Sequence, residues 1–169
     1  MTPADPVRTW LDSATGAAHV LPMLTDYAKC PFEQAILSAQ CGCEKSTPFS
    51  VAEQIGVACT SDTARNNCHM LLALMRDRAR FALKVTDTSE GLPFGKEMRV
   101  MVGGLLGLQR LMFPEDSSDH NGKAENIYAL VNRAQVCYGS LESLPYQEVV
   151  KSITRHQGRR RGFARPDRA

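Results

Sequence analysis

Five of the six cysteines in this 169-residue chain, Cys30, Cys41, Cys43, Cys59 and Cys68, fall within the 39 residues that begin at Cys30. Three chemistries use thiols in such density. Four thiolates ligate zinc or an iron–sulfur cluster. Paired thiols form disulfides or exchange them. Isolated cysteines pack as small hydrophobes. The stretch CGCEKSTPFSVAEQIGVACTSDTARNNC, residues 41–68, carries four of the five.

Spacing sorts them. A helix over 31–41 would hold Cys30 and Cys41 about 16 Å apart at ~1.5 Å per residue, too far for one small site. Cys41 and Cys43 flank Gly42, where the backbone can turn sharply and let both sulfurs converge. Cys59 precedes a predicted helix whose N-terminal N–H groups would favour a thiolate or donate to a cluster. Cys68 lies about two turns into that helix, on its apolar stripe. Cys41, Cys43, Cys59 and Cys68 are therefore the expected ligand set, with Cys30 as the alternative ligand, and Gly42 and Thr60 shaping the ligand turns.

The intervals are 1, 15 and 8 residues and lack the paired knuckles of structural zinc sites, so the expected cofactor is an iron–sulfur cluster, four-iron rather than two-iron, with zinc as the alternative. A two-residue Cys-Cys interval on a βα unit is absent, which argues against thioredoxin-type exchange. The competing reading places the thiols in an ordinary core; Cys137, in ALVNRAQVCYG, is read as core.

The elements that would carry these residues read as helical. Segments at 5–14, 31–41, 50–58, 62–85, 95–112, 124–138 and 145–156 show helical periodicity or start signals, and no alternating strand stands out. Ser50 and Glu53 have capping-box spacing. Ser61 or Asp62 can cap the longest helix, whose stripe is Cys68, Leu71, Leu72, Met75, Ala79 and Ala82. Gly103, Gly104 and Gly107 interrupt the apolar run 95–112 at about 1 kcal/mol each against alanine, which calls for close helix–helix approach. The expected fold is an all-α single-domain bundle of about six or seven helices, residues 1–157, followed by a disordered basic tail, 158–169.

Composition places the chain among ordinary globular proteins, with 43% hydrophobic and 22% charged residues. The start carries Asp5 and Asp12 and does not read as an export signal, and no apolar run has membrane-spanning length. The expected compartment is the cytoplasm, where thiols stay reduced. Net charge is +2. Residues 155–169 hold six arginines and one aspartate, leaving a mildly acidic body.

No Ser-His-Asp set, paired carboxylates or phosphate loop is evident, and His69 reads as solvent-facing or as a support to Cys68. The leading expectation is an iron–sulfur protein moving electrons or sensing redox state for a larger system, with a protein redox partner and not an independent enzyme. The alternative is a helical adaptor, zinc-stabilised or metal-free, that binds an acidic partner or nucleic acid through the C-terminal arginines.

Overall fold

In the computed structural model the described residues are 28–51, 53–85, 91–114 and 122–157. The segment expected at 5–14 and the tail 158–169 lie outside them. The elements are α1 (Glu33–Leu37), β1 (Ser46–Val51), β2 (Gln54–Cys59), α2 (Asp62–Ala79), α3 (residues 94–112), α4 (Ile127–Tyr138) and α5 (Tyr146–Arg155). The fold is thus mixed α/β among the described residues, five helices with a two-stranded antiparallel sheet, and not the all-α bundle expected from periodicity.

The correction centres on 46–59. The helix expected at 50–58 is a hairpin whose register runs from Ser46↔Cys59 to Val51↔Gln54. Val51, Ile55 and Val57 are β-branched and suit a pleated surface better than a helix turn. Pro48 is tolerated because β1 is an edge strand. Phe49 faces Gly56, and its ring occupies the space a side chain at 56 would need: a Cβ there would lie 2.3 Å from the ring. A glycine opposite an aromatic pins the register, and the Ser50–Glu53 spacing has no helix to cap.

The helical body follows the expected periodicity. Ser61 caps α2, its Oγ accepting from the Ala64 N–H at 3.3 Å. The buried stripe is Ala64, Cys68, Leu71, Leu72, Met75 and Ala79, and Ala82 falls beyond the helix on an exposed turn. α3 is continuous but changes winding: an α segment Phe94–Met98, a π segment Arg99–Gly103 and an α segment Gly104–Met112. It is the central helix, packed on α2, α4 and α5. Its glycines explain the packing. A Cβ at Gly103 would meet the Ile153 Cα and His156 Cβ at 2.8 Å, and one at Gly107 would meet Ser152 Cβ at 2.8 Å. α5 therefore lies on a glycine surface of α3, while Gly104 makes room for the Met75 sulfur of α2. No described helix is long and apolar enough to cross a membrane.

Candidate functional site: the thiol corner

Four short backbone connections build the corner where β2 runs into α2. Residues 29 and 30 add to the free edge of β2: Lys29 bridges Ala58, and the Cys30 N–H donates to the Val57 carbonyl at 2.8 Å. Cys43 closes the turn into β1, its carbonyl accepting from the Ser46 N–H at 3.2 Å and the Ser46 hydroxyl at 2.6 Å. Ser46 is the register partner of Cys59. Thr60 clamps the same turn, its N–H donating to the Lys45 carbonyl at 2.9 Å. Cys68 enters from the buried stripe of α2.

The electrostatics agree with this geometry. Burial pushes the Cys30 thiol up to about 11, a Phe32 backbone hydrogen bond opposes the rise, and negative charge on Cys43, Cys59 and Glu33 would add to it. Burial pushes Cys68 up to about 12, and charge on Cys30, Cys43 and Cys59 adds to the rise. These four thiols feel one another. Cys30 and Cys68 are buried; Cys43 and Cys59 are half-buried. Cys59 donates from Sγ to the Ser61 carbonyl at 3.3 Å, so it faces an acceptor at the start of α2 rather than the N–H groups expected there.

Cys41 belongs to a different place. Residues 40–42 are strapped to the segment before α4: Ala124 N–H donates to the Gln40 carbonyl at 3.2 Å, Gly42 N–H to the Ala124 carbonyl at 2.8 Å, and Ile127 N–H to the Gly42 carbonyl at 2.9 Å. The approach is so close that a Cβ at Gly42 would lie 2.5 Å from the Glu125 carbonyl oxygen. Gly42 thus serves the strap and does not fold Cys41 back onto Cys43. Asn126 fastens it further, donating from Nδ2 to Glu44 at 2.8 Å. The Cys41 thiol is pushed up to about 12 by burial, opposed by an Ala124 backbone hydrogen bond and by Lys123. Cys30, the alternative in the sequence reading, shares the corner in its stead. Cys137 is exposed rather than in the core.

Among the described residues no three or more His, Cys, Asp or Glu side chains are grouped so as to hold a metal ion. This overturns the expectation of a metal-binding, iron–sulfur group among the described residues. Cys41 of the expected set Cys41, Cys43, Cys59 and Cys68 is held at the strap, and Cys30, Cys43, Cys59 and Cys68, within electrostatic reach of one another, form no metal-binding group.

One residue of the corner escaped the sequence reading. Glu33 is buried, accepting from the Val57 N–H at 3.0 Å through Oε1 and pairing with Lys29 Nζ at 3.1 Å through Oε2. It fastens α1 to β2 and holds the segment that carries Cys30. Its signal was a lone acid in the apolar stretch CPFEQAIL, where a buried carboxylate needs a partner. His69 is exposed, as expected, and with Lys29, Cys30, Pro31, Leu72 and Arg76 it lines an open pocket of about 280 Å³. Burial, Arg65 and Arg76 hold His69 below its usual value, which favours neutral imidazole beside the thiol corner.

The chain matches no known family model, no curated protein and no solved structure. A functional reading therefore stands on the corner itself.

Proposed function

We propose that this protein senses redox state for a larger system through reversible oxidation of Cys30, Cys43, Cys59 and Cys68. The observation that carries the reading is that four separate segments meet at one corner and bring Cys30, Cys43, Cys59 and Cys68 within electrostatic reach of one another, while Cys41, two residues from Cys43, is strapped to the segment before α4. The roles divide by access. Half-buried Cys43 and Cys59 meet an oxidant first; buried Cys30 and Cys68, protonated at neutral pH, wait as resolving thiols.

With hydrogen peroxide, the sulfur of Cys43 or Cys59 attacks one oxygen, the O–O bond breaks, and water leaves behind a sulfenic acid. A neighbouring thiol then forms the S–S bond as the sulfenic oxygen departs in a second water. Two thiols lose two electrons and two protons, and one peroxide becomes two waters. A thiol-disulfide reductant reverses the step.

The test is to purify the full chain without oxygen, assay iron, labile sulfide and zinc, add one equivalent of peroxide, and map thiols by alkylation and mass spectrometry. The expected result is metal-free protein that loses two thiols from the four, with Cys41 and Cys137 still alkylated and full recovery on reduction. Iron with labile sulfide, stoichiometric zinc, or oxidation confined to Cys137 would each overturn the proposal.

A further inference from the structure

A second cavity joins the end of α2 to the start of α3 and shares Arg76 with the pocket beside Cys30. It has a volume of about 540 Å³, within the ~300–1,000 Å³ typical of small-molecule sites. Val85, Gly91 and Leu92 give it apolar walls, and Arg76, Asp77, Arg80 and Glu97 line its polar side. The two arginines differ in what the fold has already given them. Arg76 is committed: Nε donates to both Glu97 oxygens, at 3.0 and 3.1 Å, and a terminal nitrogen contacts Glu97 as well. Arg80 is not. Its Nε is buried without a hydrogen-bond partner, and its terminal nitrogen stands 3.9 Å from Asp77, beyond hydrogen-bond length. A guanidinium with unused donors beside an apolar wall is half of a recognition site, because such a group pairs with a carboxylate in a two-pronged manner.

We propose that this cavity binds a small amphipathic carboxylate, its anionic head on Arg80 and its aliphatic body along Val85 and Leu92. The ligand takes the terminal nitrogens of Arg80, the exposed end of the guanidinium, so binding leaves the Arg76–Glu97 pair intact. Asp77 and Glu97 on the same rim disfavour a head group with more than one negative charge, which selects a monoanion over a phosphate ester. The proposal does not depend on the redox role, although Arg76 lines both this cavity and the pocket beside Cys30.

Octanoate is the probe, with octanol as its neutral counterpart, titrated into the full chain by calorimetry and followed by amide chemical shifts. The expected result is saturable octanoate binding with shifts at residues 76–85 and 91–97, at least ten-fold tighter than octanol. Arg80→Gln weakens it at least ten-fold, and Arg80→Lys restores part of the loss. Thermal melts of both variants check the fold; should Arg80→Gln not fold, Leu92→Ser supplies the loss, expected at three-fold or more. Absence of saturation at millimolar octanoate, equal affinity for octanol, or shifts centred elsewhere would overturn the site.

Discussion

The α3–α5 interface and the thiol corner solve the problem of close approach in opposite ways. At the interface, side chains are removed: Gly103 and Gly107 let the backbone of α5 lie against α3, and the contact is made by atoms that cannot move aside. At the corner, side chains are brought in: a buried carboxylate, half-buried thiols and single backbone bonds hold short segments together. A surface without side chains is rigid and chemically inert. A junction of thiols and one carboxylate is held by single backbone bonds and contains four of the six thiols. The corner is therefore where a covalent change would register first.

The comparison can be broken by substitution. The largest effect is expected from Phe32→Ala, which empties a fully buried ring beneath the corner and should cost about 3–5 kcal/mol in urea unfolding. Gly103→Ala places a methyl against the Ile153 Cα and should cost about 1–3 kcal/mol while leaving thiol reactivity unchanged. Glu33→Ala leaves the buried Val57 N–H without its partner and should cost about 1–3 kcal/mol, and it should also speed alkylation of Cys30. Glu33→Gln, which keeps an acceptor, should recover much of the loss. If Gly103→Ala alters the thiols as much as Glu33→Ala does, the two regions are not independent.

The pH dependence sharpens the same contrast. The folded state holds Cys30, Cys41 and Cys68 protonated above the usual 9.0, so it binds more protons than the unfolded chain at alkaline pH. Their contribution is complete below pH 9 and is lost as pH rises towards 11 and 12. Cys41→Ala should remove part of that alkaline loss without touching redox behaviour. His69 and His156 are held below 6.5, so the folded state binds fewer protons there, and stability should fall as pH drops below 6.5. Unfolding midpoints between pH 5 and 11 check both arms, and a flat alkaline limb would contradict the burial of the thiols.

The helical body was legible because its signals are local. Ser61 caps α2, the stripe from Cys68 to Ala79 repeats at helical spacing, and the glycines of α3 announced close packing. The hairpin was missed because its determinants act across strands. Ser50 and Glu53 offered a helical start at short range, while Phe49 over Gly56 decides only once the strands are paired. The thiols were half legible. Spacing groups Cys43, Cys59 and Cys68, but proximity in sequence also joins Cys41 to Cys43. The strap to Ala124 that separates them depends on residues more than 80 positions away. A helix over 31–41 leaves Cys30 as only the alternative ligand, whereas α1 is only Glu33–Leu37 and Cys30 lies in the extended segment before it.

The most direct test of the central claim uses a probe that must bridge two sulfurs. Phenylarsine oxide, added at one equivalent to the reduced full chain, forms a cyclic adduct only with thiols that can reach a common atom. Alkylation and peptide mapping then identify the protected pair. Both protected thiols should come from Cys30, Cys43, Cys59 and Cys68, with Cys41 freely alkylated under denaturant. An adduct bridging Cys41 and Cys43, the neighbours in sequence, would contradict it.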